Sequence, residues 1–476
     1  MMTESSSHSF QNIVVVGGGI AGLATVLEIE RLAPRAQVTL FDSSTRLGGV
    51  LASEQISGFT IETSADMFTV EPTTALDLVR RLGREEQLLT TKPTKDRAYV
   101  ATADGIQPLP RGFSLMLPAD VDAVLASPIL SDAGKQRFLQ EQQLPPRDCS
   151  ADESLESFAV GRFGREVFER LIQPLAGGIY TADPKKLSMR ATMQRFIDME
   201  QQFGSLIAAG KAKAKKESAS AEASGARYGL FRAPKGGMGC LVDWMVAAVE
   251  RADLRTNQAV TSIEKNGPSW RVTTAEESID ADAVVLATGA AVAGRLLGNL
   301  DSTLAASLES ITAASSAIVV LALDQEQFES LLGKDFGGYG IICPHVLGRQ
   351  AIACSFSSNK FSNRAPDGKV IVRCFIGGAL QADLVDRSDG QLLSIAMAEL
   401  RQWLGLEGDA EWFKVYRWRN CMPQYTLGHL DRVSQIEQCV SQQIGLELAG
   451  NSYRGVGVPA CIESGTQAAR RLLGAT

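Results

Sequence analysis

Hydrophobic and polar positions in the first fifty residues predict a strand–helix–strand unit. Asn12–Val16 is a continuous apolar run, which is typical of a parallel strand buried on both faces, and Val38–Phe41 is a second such run. Between them, Ile20–Leu32 carries apolar residues at helical spacing and stops before Pro34. We therefore expect two parallel strands joined by one helix at the start of the chain.

Residues 111–231 have a different pattern and are predicted to be mainly helix and loop. Ser154–Leu175 places apolar residues at helical intervals with charges between them. Lys211–Arg227 is a low-complexity polar stretch that predicts a surface helix or a flexible loop. The apolar stretches Phe113–Leu117 and Val121–Leu125 fit either the protein core or contact with a bilayer surface.

From about residue 258 the hydrophobic period changes to two, which predicts strands. Val260–Glu264 and Trp270–Thr274 alternate as a half-exposed hairpin does, and Ala283–Leu286 is typical of a buried strand. The remaining predicted elements are strands at 317–323, 369–376 and 446–449 and helices at 394–404 and 459–473. No internal repeat is visible.

Charge and cysteine usage exclude several classes of protein. The chain has 476 residues, with 47 basic and 54 acidic side chains and a net charge of −7, so the basic excess of a general nucleic-acid binder is absent. The eight cysteines include no CxxC pair and are expected to be reduced thiols of a cytosolic protein. The apolar stretch Ile13–Leu27 is interrupted by glycines and followed by Glu28, so we expect no membrane span or signal peptide and a cytoplasmic location.

Histidine is scarce and glycine is abundant. The three histidines are His8, His345 and His429, which argues against a His-rich metal site or a series of histidine bases, and we predict no bound metal. Cys343 lies two residues from His345, but no second ligand pair accompanies them. If the protein is an enzyme, a group other than imidazole is expected to carry its chemistry.

Residues 17–22 form a dinucleotide-binding fingerprint. They fit GxGxxG, follow a predicted strand, open a predicted helix, and precede Asp42, which lies 20 residues after Gly22 at the end of the second strand. Gly17 permits the tight turn, Gly19 lets a pyrophosphate approach the backbone, and Gly22 allows close packing of helix on strand. The helix N-terminus favours the phosphate charge, and Asp42 accepts hydrogen bonds from ribose hydroxyls. A glycine-rich turn without a ligand is the alternative.

The residues after Asp42 favour FAD over NAD. The segment 41–49, FDSSTRLGG, resembles the extension found in FAD-containing flavoproteins of the amine-oxidase type, in which an arginine and a glycine pair follow the acidic residue. That turn brings backbone close to the FAD pyrophosphate. Later segments must return to the cofactor, and 283–289 and 446–460 have the right character.

Several segments outside the FAD frame resemble the protoporphyrinogen/coproporphyrinogen oxidase family. These are 157–180 (SFAVGRFGREVFERLIQPLAGGIY) with Asp183 and Leu187–Ser188, 199–207 (MEQQFGSLI), 357–361 (SSNKF), 373–378 (RCFIGG), 417–429 (RWRNCMPQYTLGH) and 449–465 (AGNSYRGVGVPACIESG). The resemblance spans nearly the whole chain. One segment departs from it: 64–68 is SADMF, where the family usually has Gly-Pro before a short polar pair and Phe.

The resemblance implies site residues position by position. The residues implied to contact adenosine and pyrophosphate are Gly17, Gly18, Gly19, Ile20, Ala21, Gly22, Asp42, Ser43, Arg46 and Gly49. Val50 is implied as a neighbouring cofactor contact. Val260 would lie beside the adenine, Trp418 near the flavin, and the backbone of Val456, Gly457 and Val458 would face the flavin C2 carbonyl.

For the substrate, the implied residues are Gly177 and Gly178, as a turn that admits a flat macrocycle, and Arg97, which would pair with a propionate. Simpler alternatives stay open: Trp418 as core packing, Arg97 as a surface cation and the glycine pair as a helix end. His429 is favoured as a structural residue.

The resemblance also implies a fold and a division into domains. The fold class is α/β (α+β overall), with a Rossmann-like FAD-binding domain built from discontinuous segments. That domain is predicted to take residues 1–90, 232–298 and 440–476. A mixed-sheet substrate domain takes 299–439, and a mainly helical insertion takes 91–231.

The implied reaction is oxidation of protoporphyrinogen IX or coproporphyrinogen III to the porphyrin, a late step of heme biosynthesis. Six electrons leave the substrate, dioxygen accepts them as hydrogen peroxide, and no histidine base is required because the flavin N5 takes the hydride. Another FAD-dependent amine oxidase or polyene desaturase, or a flavin-binding partner protein without turnover, is the alternative. Peripheral membrane contact, a monomer or homodimer, and transfer of product to the next heme-pathway enzyme are left open.

Overall fold

A computed structural model describes residues 10–94, 98–221, 230–333 and 336–475. Its first unit is a five-stranded parallel sheet. The strands, in order across the sheet, are Asp253–Arg255, Gln37–Phe41, Asn12–Val16, Ala283–Leu286 and Leu446–Leu448. The predicted strand–helix–strand opening is confirmed, with its helix at Ile20–Leu32.

Both faces of this parallel sheet are covered, which explains its continuous apolar strands. Ile13 and Val15 point to one face, where they pack with helices Ile20–Leu32 and Val458–Leu473. Val14 and Val16 point to the other face, against the strands Val260–Asn266, Ser269–Thr274 and Ser278–Ala281 and the helices Ala290–Leu297, Ser302–Glu309 and His429–Ser441. The predicted hairpin and buried strand are therefore confirmed.

The second unit is a seven-stranded mixed sheet. In order, its strands are Trp412–Pro423, Ala313–Asp324, Lys369–Gly377, Ala351–Phe356, Gly340–Ile342, Ala98–Thr102 and Gly105–Pro108. One face packs on helix Asp389–Leu404, whose N-terminus is a capping box built by Ser388 and Gln391. The last two strands come from the range assigned by sequence to the helical insertion, and the domain division itself stays a prediction.

The third unit is helical, as the sequence predicts for the middle of the chain. Phe113, Met116, Leu117 and Val124 are buried in the core of this unit. Of the two predictions for this apolar stretch, these four residues therefore fit the protein core. The predicted helix at 154–175 is interrupted: Leu155–Phe163 ends at Gly164, whose φ is 86°. The low-complexity stretch continues helix Leu206–Ala221, and its last residues lie outside the described ones.

The remaining helices and strands belong to these three units or join them. The helices are Thr74–Arg81, Val121–Ala126, Asp132–Leu139, Arg165–Val167, Gln173–Tyr180, Met189–Phe203, Gly239–Ala247, Gln325–Leu332 and Ser357–Lys360, with a π-turn at Phe168–Ile172 and 3₁₀ turns at Glu85–Gln87, Gln140–Gln143, His345–Leu347 and Ala382–Asp386. The small strands are Ser53–Ile56, Phe59–Glu62, Phe68–Thr69, Leu88–Thr90, Phe113–Ser114, Leu117–Pro118 and Phe231–Pro234. Within the part of the chain described, we find no helix with the length and apolar character needed to cross a bilayer.

Two buried charge clusters hold helices together. Glu28 is fully buried and accepts hydrogen bonds from Arg31 and Arg470, each at 2.8 Å, which joins the first and last helices of the parallel-sheet unit. In the helical unit, the buried Arg162 donates from Nε to Glu141 at 2.9 Å and pairs with Glu200 at 3.0 Å. Buried charges require such partners, because an unpaired charge away from water is strongly destabilising.

Candidate functional site

The carboxyl ends of the central parallel strands form the site predicted for the dinucleotide. Gly17 follows the first strand, donates from its N–H to the Phe41 carbonyl at 2.8 Å, and has a φ of 105°. A Cβ atom on Gly17 would lie 2.7 Å from the Ala287 carbonyl oxygen, and one on Gly22 would lie 1.9 Å from the Gly17 carbonyl oxygen. Glycine is therefore required at both positions, as the fingerprint predicts.

Gly19 borders an open space at the start of the first helix. It is the N-cap of Ile20–Leu32, no side chain caps that end, and a Cβ atom on Gly19 would meet nothing within 4 Å. Ile20 and Ala21 are the first two helical residues, so their N–H groups have no partner within the helix. Unpaired N–H groups at a helix N-terminus favour an anion, and this cradle fits a pyrophosphate.

Asp42 does more than the sequence predicts. Its carboxylate accepts from the Gly18 N–H at 2.6 Å and from the Ser44 N–H at 2.7 Å, and it is buried. Each oxygen keeps a second lone pair, so a ribose hydroxyl can still bind. A Cβ atom on Gly18 would lie 2.4 Å from the end of the Leu47 side chain, which would have to move to make room for it. Ser43, the neighbouring predicted contact, is exposed.

A second glycine turn lies directly against the first. Gly48 donates to the Gly18 carbonyl at 2.8 Å, and a Cβ atom on Gly49 would lie 3.4 Å from the Gly19 Cα. The exposed Arg46 folds back and donates to the carbonyl groups of its own turn, including that of Gly49 at 2.8 Å. This arrangement brings the predicted Arg-x-Gly-Gly turn to the edge of the open cradle.

The half-buried Val260 follows a segment that is hydrogen-bonded to Asp42. It begins the strand that follows Gln258, whose N–H donates to the Asp42 carbonyl at 2.9 Å. Asp42 in turn donates its N–H to the Arg255 carbonyl at 2.8 Å. Val260 and Asp42 are therefore brought to the same edge of the sheet, as the resemblance implies.

Thr63 links Trp418 to the backbone of Val50. The indole Nε1 of Trp418 donates to the Thr63 carbonyl at 2.6 Å, and the Thr63 hydroxyl donates to the Val50 carbonyl at 3.1 Å. Trp418 is half-buried and Val50 is 40% exposed, so part of this junction faces open space.

The segment that departs from the family, 64–68, is held by a buried ion cluster that sequence reasoning missed. Asp66 accepts from Lys360 Nζ at 2.9 Å and lies 3.3 Å from a guanidinium nitrogen of Arg373, whose guanidinium also donates to the Ser64 carbonyl. Burial alone would raise the pKa of Asp66, but the two cations hold that pKa well below its usual range. Both cations occur in segments that carried the resemblance, 357–361 and 373–378, yet nothing in the pattern paired them with Asp66.

Val456, Gly457 and Val458 lie at the N-terminus of the last helix. Gly457 is the N-cap of Val458–Leu473, and no side chain caps it. The preceding loop packs on the turn at 287–289, because Ala449 donates to the Leu286 carbonyl at 2.9 Å and Ala290 donates to the Ser452 hydroxyl at 3.1 Å. A second uncapped helix N-terminus is therefore positioned at the same edge of the parallel sheet.

The predicted substrate residues are only partly described. Gly177 and Gly178 lie inside helix Gln173–Tyr180, so the prediction of a Gly-Gly turn is wrong. The helix ends instead at Thr181, which has a left-handed backbone with a φ of 48°. A cleft beside this helix is lined by residues that include Gly177, Thr181, Cys343, His345, Arg349 and Gln381. Arg97 lies outside the described residues.

Comparison with known proteins gives a consistent picture. Residues 20–473 match the family described as flavin containing amine oxidoreductase. A coproporphyrinogen III oxidase of Propionibacterium freudenreichii is 30% identical, with 98% of this chain and 91% of the relative covered, and one of Bacillus subtilis is 28% identical, with 98% of each covered. A chloroplastic protoporphyrinogen oxidase of Arabidopsis thaliana is 27% identical, with 96% and 87% covered.

Solved structures agree with these relatives. A crystal structure from Exiguobacterium sp. 255-15, provisionally assigned as a protoporphyrinogen oxidase, has a TM-score of 0.85 and 27% identity over 97% of this chain and 98% of that one. A putrescine oxidase variant has a TM-score of 0.70 at 14% identity over 98% and 99%, which supports the fold alone. The predicted fold class, flavin cofactor and family are confirmed, and the cofactor is FAD. The chain belongs to the flavin containing amine oxidoreductases and, within them, to the porphyrinogen oxidases.

Proposed function

We propose that this protein oxidises a porphyrinogen to the corresponding porphyrin with dioxygen as the final acceptor. The observation that carries the proposal is the similarity over nearly the full chain to relatives named coproporphyrinogen III oxidase and protoporphyrinogen oxidase. Coproporphyrinogen III is the first substrate to test, because the 30% identical relative carries that name. The site supports the proposal with a cradle that fits FAD.

Six groups of residues would hold the cofactor. Residues 17–22 bind the pyrophosphate at the first helix N-terminus, and Asp42 and Ser43 bind the ribose. Arg46, Gly49 and Val50 close the cradle, and Val260 packs beside the adenine. Trp418 packs beside the flavin, and the N–H groups of residues 456–458 face its C2 carbonyl. When bound, FAD accepts two electrons at a time from the substrate and passes them to dioxygen, so three cycles remove six electrons and form three molecules of hydrogen peroxide.

The chain's own residues orient the substrate and leave its protons to solvent. Gly177 lines the cleft and Gly178 is exposed on the same helix, and since neither has a side chain this helix would leave room for a planar macrocycle. Arg97 would pair with a propionate. His429 is fully buried and bonded to the Tyr453 carbonyl, so it has no role as a proton acceptor. His429 is therefore not the base for the pyrrole N–H protons, which we propose leave to solvent.

Two measurements on the purified FAD-loaded protein test this function. Under anaerobic conditions, porphyrinogen should bleach the flavin absorption, and in air it should yield red porphyrin fluorescence and peroxide. Coproporphyrinogen III and protoporphyrinogen IX are compared side by side, with a diamine such as putrescine as the matched control. Bleaching by the amine alone would identify an amine oxidase, and bleaching by none of them would leave a flavin-binding protein without this activity.

A further inference from the structure

Tyr425 and His429 form a stacked pair under the loop that leads into the last helix. Their ring centroids are 3.9 Å apart and the ring planes differ by 13°. His429 is fully buried and Tyr425 is 2% exposed. Two aromatic rings packed in this way form a rigid support, because neither side chain has space to change rotamer.

The hydroxyl of Tyr425 joins the two ends of that loop. It donates to the Asn451 carbonyl at 2.6 Å and accepts from the Gly455 N–H at 2.7 Å. One hydroxyl group therefore satisfies one backbone acceptor and one backbone donor four residues apart, which fixes the spacing between them.

His429 fixes the middle of the same loop. Its Nε2 lies 2.8 Å from the Tyr453 carbonyl oxygen. A carbonyl only accepts, so Nε2 carries the hydrogen, and Nδ1 is the unprotonated nitrogen. Nδ1 is buried and has no hydrogen-bond partner among the described residues. Burial lowers the pKa of His429, which is consistent with a neutral ring that serves as a donor.

These three hydrogen bonds act on the residues just before the last helix. Gly455 is followed by Val456 and Gly457, and the helix begins at Val458 with no side-chain cap. The position of the exposed backbone N–H groups at this helix end therefore depends on Gly455, and the position of Gly455 depends on Tyr425.

We infer that Tyr425 and His429 are positioning residues for the flavin, acting through the loop 451–455. The inference rests on the proposed placement of the flavin C2 carbonyl at residues 456–458. Backbone N–H groups at a helix N-terminus favour negative charge, so they stabilise the reduced, more electron-rich flavin more than the oxidised one. A loop that is free to shift would lose part of this preference.

Tyr425→Phe tests the inference with the removal of a single atom. The ring stack on His429 is kept, but the Gly455 N–H and the Asn451 carbonyl lose their partner. Leaving a buried donor unsatisfied costs on the order of 1–3 kcal/mol, which corresponds to a roughly 5- to 150-fold rise in the FAD dissociation constant where the cost falls on the bound state. We also expect a lower flavin reduction potential.

His429→Phe is the second variant and Tyr339→Phe is the matched control. His429→Phe keeps a stacked ring and removes only the donor to Tyr453, so a smaller shift in the same direction is expected. Tyr339 is also a buried tyrosine whose hydroxyl donates to a backbone carbonyl, that of Lys92, and it has no contact with loop 451–455. Its loss should lower thermal stability without moving the potential.

An unchanged potential and an FAD dissociation constant within twofold of wild type in Tyr425→Phe would overturn the inference and leave the pair as core packing. A shift of the potential or of the FAD dissociation constant in Tyr425→Phe beyond that of Tyr339→Phe supports it. Neither readout uses a porphyrinogen, so a protein that fails to oxidise one still gives a clear answer about these two residues.

Discussion

Gly19→Ala is the most direct test of the nucleotide cradle. A Cβ atom at this position would meet no protein atom within 4 Å, and the backbone at Gly19 has a φ of −67° and a ψ of 177°, which alanine adopts without strain. The substitution should therefore leave the fold intact. The added methyl group would project only into the space where we place the pyrophosphate.

The expected effect on binding follows from the hydrogen bonds that the methyl group prevents. A hydrogen bond to a charged group contributes about 1.5–3 kcal/mol, so loss of one phosphate contact should raise the FAD dissociation constant roughly 10- to 150-fold. At saturating FAD, the stabilisation of the folded protein by its ligand should fall by about the same 1.5–3 kcal/mol. The stability of the FAD-free protein should change by less than about 1 kcal/mol.

Gly390→Ala is the matched control. Gly390 is exposed near the start of helix Asp389–Leu404, and a Cβ atom there also meets nothing within 4 Å. Fluorescence titration of the FAD-free proteins measures the dissociation constants, and thermal melts with and without FAD measure stability. Equal FAD affinity in Gly19→Ala, Gly390→Ala and wild type would refute the placement of the pyrophosphate at Gly19. A large loss of stability in FAD-free Gly19→Ala would contradict the open space itself.

Three further predictions concern the buried charges. Hydrogen bonds from Arg31 lower the pKa of Glu28 from 4.5 to about 2 against the opposing effect of burial. The ionised Glu28 therefore contributes fully to the free energy of unfolding above pH 4.5, and this contribution is lost as the pH falls from there to about 2. Because its arginine partners are 36–49% exposed, we expect that loss to be on the order of 1–2 kcal/mol in urea unfolding, and to be absent in Glu28→Gln. Asp66→Asn leaves two buried cations without their carboxylate and should lower the free energy of unfolding by about 3–5 kcal/mol. Adding Lys360→Met to this variant should recover part of the loss. Equal stability of the single and the double variant would show that Lys360 is not the cation that needs Asp66. Arg162→Met leaves Glu141 and Glu200 without their cation and should lower the free energy of unfolding by about 3–5 kcal/mol. FAD affinity should stay unchanged, and a change in it would contradict the placement of the cradle at residues 17–22.

The sequence predicts the nucleotide site well because that site depends on backbone geometry at a few fixed spacings. Gly17 and Gly22 are demanded by close backbone contacts, and the spacing to Asp42 follows from one helix between two parallel strands. Periodicity also predicts four strands of the parallel sheet, two of the seven strands of the mixed sheet and the separate hairpin, since strands covered on both faces are continuously apolar and hairpin strands alternate. Such local rules can be recognised from the order of residues.

The buried ion cluster cannot be recognised in this way. Asp66 is separated from Lys360 and Arg373 by about three hundred residues, and only the fold brings them together. Arg162 likewise looks like one of the solvated charges between apolar helical positions, yet it is fully buried between two glutamates. Pairing across long separations is decided by tertiary packing, which a pattern of local periods does not contain.

The low number of histidines agrees with a cofactor site that uses few side chains as donors or acceptors. His429 is buried as a neutral donor to a backbone carbonyl, and the groups placed around the flavin are mostly backbone N–H groups of two helix N-termini. A site made of backbone is insensitive to side-chain identity wherever the close contacts are preserved. This explains how a chain with 27–30% identity to its relatives can keep the cofactor frame, and why changes at glycines and at loop supports such as Tyr425 should affect FAD more than changes of neighbouring charged side chains.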